Sequence, residues 1–135
     1  MNSKKFLMRL VLIIFFIFLL NYLAMEFYWY SSIWYLDMPM HFLGGVWLGF
    51  VSIYFLLPKE ISLKFIFKIL SIVVFIGAGW EVFEILIDKF VTQDYFNYLD
   101  TISDISFDIA GGLFALLYFL KRIMSLKRSA VYGLP

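Results

Sequence analysis

Four apolar stretches, at about 6–28, 38–57, 63–87 and 105–124, decide what this chain can become. A helix needs about 20 apolar residues to cross a ~30 Å hydrocarbon core. Inside that core every backbone N–H and C=O must find its partner within the protein, which an α-helix does by itself. The expected fold class is therefore all-α: a polytopic membrane protein, built as a four-transmembrane-helix bundle. In this reading residues 1–128 form its single domain and 129–135 a short cytoplasmic tail. The chain is 64% hydrophobic with a mean hydropathy of +0.92, far above a soluble domain.

Charge sets the orientation. Of the 11 basic residues, all but Lys89 lie at one end of the expected bundle: Lys4, Lys5 and Arg9, then Lys59, Lys64 and Lys68, then Lys121, Arg122, Lys127 and Arg128. Of the 10 acidic residues, all but Glu60 lie at the other. The positive-inside rule then places both termini in the cytoplasm and the acids toward the outside of a bacterial-type plasma membrane. The first stretch has the basic start of a signal peptide. Its apolar run is too long for one, and no small-x-small cleavage site follows, so a retained helix is expected. Tyr22, Phe27, Tyr28, Trp29, Tyr30, Trp34, Tyr35, Tyr95, Phe96 and Tyr98 gather at the acidic end. They read as an interfacial aromatic belt.

What is missing excludes whole classes. With no cysteine, disulfides, thiolate metal sites and cysteine catalysis are ruled out. No Gly-rich phosphate loop and no basic surface suited to nucleic acid is present.

The chemistry-bearing residues fall on regular spacings. Asp37 and His41 are i and i+4; Glu81, Glu84 and Asp88 are i, i+3 and i+7; Asp100, Asp104 and Asp108 are i, i+4 and i+8. Each set makes one stripe on a helix. An acid at the bilayer centre costs about 2.5–3.5 kcal/mol on insertion scales, and less near an end. The alternative for Asp37, Asp100 and Asp104 is that they are simply helix caps and dipole partners, with Pro39 in the first turn after Asp37 and Asp100 or Thr101 capping the fourth helix. That account fails for the third helix, where Glu81, Glu84 and Asp88 crowd the negative C-terminal end. Those carboxylates must be protonated or must share a cation. Gly44 and Gly45, Gly77 and Gly79, and Gly111 and Gly112 sit within a turn of the acids, where they let helices approach closely.

His41, Glu81, Glu84, Asp104 and Asp108 are thus the expected metal ligands, with Asp37, Asp88 and Asp100 as further candidates. Carboxylates with one imidazole suit a divalent metal: Mg²⁺, Mn²⁺ or Ca²⁺, with Zn²⁺ also admitted. The acids are numerous enough for two ions. The inner half offers only Ser52, Tyr54 and Ser71, too little for a continuous proton relay.

The motifs resemble those of the VanZ-like and YjdF-like small bacterial membrane proteins. Asp37-Met-Pro-Met-His41 is similar to the Asp-x-x-x-His of the former. Glu81-Val-Phe-Glu84 stands where a Glu-x-x-Gln is found, and Asp104-Ile-Ser-Phe-Asp108-Ile-Ala-Gly111 where an Asp-x-x-x-Asn-x-x-Gly is found. Asp100-Thr-Ile-Ser-Asp104 is similar to the YjdF-like Asp-Thr-x-x-Asp. Both replacements add acid, and the Arg that precedes the last VanZ-like motif has no counterpart. The resemblance implies a cell-envelope role. The Asp100, Asp104, Asp108 spacing also resembles an aspartate motif of membrane prenyltransferases. By that analogy a lysine-poor pocket holds a lipid-linked phosphate through metal ions. Metal-assisted hydrolysis or phosphoryl transfer is the catalytic version of this expectation. A non-catalytic cation-handling or structural module with protonated carboxylates is the alternative. Membrane lipid is the expected partner, a homo-oligomer is compatible with the pattern, and nucleic acid is not.

Overall fold

A computed structural model describes residues 3–56, 62–87, 89–90 and 97–132, the side chains of 3 and 126–132 excepted. Within them lie four helices long and apolar enough to cross a membrane, and no strand. Helix α1 spans Ser3–Glu26, the short α2 Trp29–Ser32, α3 Asp37–Leu56, α4 Leu63–Ile87 and α5 Tyr98–Tyr132. The fold is an all-α polytopic bundle.

The helix ends follow local chemistry. Helix α1 stops at Glu26, not at 28, because Tyr28 takes a left-handed backbone at φ 56°. The N–H of Tyr28 donates to Met25 O at 3.2 Å, which tightens the last turn. A non-glycine residue in that region costs roughly 1–2 kcal/mol. The reversal turns α2 back over the bundle's acidic end. There the Tyr30 hydroxyl donates to Asn21 Oδ1 on α1 at 2.6 Å. Ser62 caps α4, its Oγ accepting from the N–H of Phe65 at 3.3 Å.

Helix α5 departs from expectation at both ends. It starts at Tyr98 rather than near 105, because Asn97 supplies the cap: Asn97 Oδ1 accepts from the N–H of Leu99 at 3.2 Å. Asp100 and Thr101 therefore lie inside the helix, not at its cap. It also continues through the segment read as a tail, to Tyr132, since no helix-breaking residue occurs before Gly133. The middle loop around Pro58, the outer loop at 91–96 and Asp88 lie outside the described residues.

Helices α3 and α5 form the closest pair, with α4 packed against both and α1 docked on α3. Glycine makes the α3–α5 approach possible. A Cβ at Gly45 would collide with the backbone carbonyl of Asp108, and one at Gly111 with that of Phe42. Farther along the seam, a Cβ at Gly49 would lie 2.7 Å from that of Ala115. Val73 of α4 fills the space beside Gly112. Trp47 Nε1 donates to Leu10 O at 3.0 Å and fixes α1 to α3.

The interior has two halves. Ile53, Phe65, Ile69 and Leu116 form an apolar core at the end away from the acids, extended by Phe50, Leu70 and Phe119. His41, Glu81, Asp104 and Asp108 are buried in the other half. About 12 residues separate His41 from Ile53, so at 1.5 Å per residue the halves are ~18 Å apart.

Candidate functional site

His41 is the centre of the polar half. It projects from the second turn of α3 and is only 7% exposed. Its Nε2 lies 3.8 Å from Asp37 Oδ1, one turn earlier on the same helix, and 3.8 Å from Glu81 Oε1 of α4. Its Nδ1 lies 3.5 Å from Asp108 Oδ2 of α5. One imidazole therefore touches carboxylates from all three inner helices. Among the described residues, every ion pair within 4.0 Å involves this histidine.

Two overlapping groups have metal-like spacing. Asp37, His41 and Asp104 form one, and His41, Glu81 and Glu84 the other, with ligand atoms within 4.8 Å of one another in each. Two atoms that share an ion through bonds of about 2.1–2.4 Å lie at most about 4.2–4.8 Å apart. Both groups draw on His41, so the two do not make two independent sites. Asp108 belongs to neither group, although it contacts the ring. Asp100 is exposed in the first turn of α5 and stands outside both, as a dipole partner would.

Burial makes the cluster costly. Glu81 is 5% exposed and Asp104 3%, and both Glu81 Oε1 and Asp104 Oδ1 lack any hydrogen-bond partner. Lys89, the one basic residue at this end, lies 5.6 Å from the Phe90 ring centroid. Asp108 is cradled by glycines. Gly44 lies beside its Oδ1, and a Cβ at Gly77 would occupy the position of its Oδ2.

Tyr30 was read as one more belt aromatic, but the reversal at Tyr28 carries it to the cluster's mouth. Its phenol is pushed up to about 12, first by burial, then by the charges of Asp37 and Glu84. It therefore stays neutral, and remains a donor to Asn21, throughout the ordinary pH range. Nothing in the spacing of the aromatic run distinguishes Tyr30 from Tyr28 or Tyr35.

No curated protein and no solved structure matches the chain at a significant level. Residues 4–124 match a family model described as "Predicted membrane protein (DUF2238)", and the chain belongs to that family.

Proposed function

We propose that this chain is a VanZ-like and YjdF-like envelope membrane protein whose acidic end binds one divalent cation, Mg²⁺, Mn²⁺, Ca²⁺ or Zn²⁺. The observation that carries this reading is the pair of buried, unpartnered carboxylate oxygens, Glu81 Oε1 and Asp104 Oδ1, beside a single imidazole. A buried acceptor without a donor costs roughly 1–3 kcal/mol, and more when charged. A cation in either three-residue group would neutralise one of these two acids together with a second carboxylate and the imidazole. With no Lys or Arg paired to these acids among the described residues, a lipid phosphate would be held through that ion.

Binding to the folded state stabilises it by RT ln(1 + [L]/Kd), about 2.7 kcal/mol at a hundredfold excess over Kd. In detergent, at least one of the four ions should raise the melting temperature in a saturable way, and chelator should reverse the rise. A melting temperature indifferent to all four, in protein that carries no metal as purified, would favour carboxylates protonated against one another.

The site faces outward in this proposal, because the basic residues concentrate at the opposite end. A cysteine placed at Asn97 should react with a membrane-impermeant reagent in intact cells, and one at Ser129 should not. The reverse labelling pattern would invert the topology.

A further inference from the structure

We infer that Asp108 is a positioning residue that fixes the His41 ring, and that the cation sits on the Nε2 side, with the acids of one of the two three-residue groups. This rests on the cation-binding reading above and divides its residues into different roles. The two ring nitrogens face different surroundings. Nδ1 meets one oxygen, Asp108 Oδ2, at 3.5 Å. Nε2 faces two oxygens from two helices, each at 3.8 Å.

Neither protonation state satisfies the Nε2 side by itself. Unprotonated, Nε2 aims a lone pair at Asp37 Oδ1 and Glu81 Oε1, which are acceptors too. Protonated, it has no acceptor in either of these oxygens at a hydrogen-bonding distance, since 3.8 Å is too long. A cation on Nε2, held with Glu81 and Glu84 or with Asp37 and Asp104, resolves both problems. On the other side, Asp108 Oδ2 at 3.5 Å is the nearest of the three carboxylate oxygens, and a proton on Nδ1 drawn toward it leaves the Nε2 lone pair free. Carboxylates commonly orient metal-binding histidines in this way.

The packing of Asp108 fits positioning better than ligation. Its carboxylate is enclosed between Gly44 of α3 and Gly77 of α4, and the missing side chain of Gly77 is the space that Oδ2 fills. Asp108 is thus locked by helix contacts on the Nδ1 side of the ring, opposite Asp37 and Glu81, and it belongs to neither three-residue group. The division also limits the site to one imidazole-bound ion, because the second ring nitrogen is committed.

The chain contains a single histidine, so its imidazole can be read without assignment. Protein labelled with ¹⁵N-histidine should be titrated with Zn²⁺ and, separately, Cd²⁺ in detergent. The expected result is that Nε2 moves to the metal-bound range, with ¹¹³Cd coupling, while Nδ1 keeps its proton. Affinity, read by the same titration, should fall about 10–100-fold in Asp108→Leu. It should be largely retained in Asp108→Asn, whose amide oxygen still accepts from Nδ1. Gly77→Ala, which changes no acid or imidazole but whose methyl would collide with Asp108 Oδ2, should lose affinity as Asp108→Leu does. Metal on Nδ1, or ion-dependent stabilisation with both nitrogens unmoved, would overturn the positioning role and leave the cation site standing. Absence of any ion response, in melting or in the spectrum, would overturn the cation reading and this inference with it.

Discussion

Gly111→Ala should destabilise the bundle by at least about 1–3 kcal/mol, the usual range for overpacking. The new methyl would meet the carbonyl oxygen of Phe42 and lie 2.6 Å from the backbone nitrogen of Val46. Those are main-chain atoms of α3 and cannot rotate aside, so the helices must separate. Separation also withdraws Asp108 from His41. Gly45→Ala should behave alike, as its methyl would lie 2.8 Å from the carbonyl carbon of Asp108. The double substitution should cost less than the sum, because one separation relieves both collisions. Gly79→Ala is the control: nothing lies within 4 Å of a Cβ there. Melting in detergent decides it, and equal stability of the Gly111 and Gly79 variants would mean that α3 and α5 do not touch at this seam.

The second large effect depends on whether the ion is present. In chelator, the pair Glu81→Gln and Asp104→Asn should be more stable than the parent chain, by about 1–3 kcal/mol for each unpartnered oxygen relieved. The amides keep the side-chain shape, remove two buried charges and add donors for the remaining carboxylates. In saturating divalent ion the gap should narrow by the binding term, about 2.7 kcal/mol at a hundredfold excess, because only the parent gains it. Such a trade of resting stability for a binding site is common where polar groups are preorganised. A variant less stable than the parent in chelator would show that the acids already satisfy one another.

Length and polarity alone locate the spans, which is why the reading of 63–87 coincides with α4 at Leu63–Ile87. The end of α1 was not legible, since Tyr28 adopts its left-handed turn without the Gly or Asn that normally marks one. The start of α5 was misplaced because three capping residues, Asn97, Asp100 and Thr101, compete over five positions, and only geometry shows that Asn97 accepts the bond. At the site, the helical stripes follow from spacing, and they do meet at His41. Which ring nitrogen each acid faces does not follow. That depends on how far each helix is rotated about its axis, and here the rotation is set by the space at Gly77 and the close approach at Gly45 and Gly111.

Helix α1 has only Leu10 and Ala24 buried, while Leu7, Val11, Phe15, Phe18 and Tyr22 are open to the surroundings. Among the described residues it is tied down by the packing of Leu10 and Ala24, one indole hydrogen bond, ring contacts at Phe6 and the Tyr30–Asn21 bond. Subglobal opening starts where the fewest contacts must be broken. This segment is thus the least protected cooperative unit of the chain, able to come away while the other three spans stay assembled. Loss of helicity or compactness measured on the whole chain then mixes two events, and a single free energy of unfolding is not defined for it. An environmental probe near the imidazole reports the assembly that carries the site; a probe on the first span reports only its release.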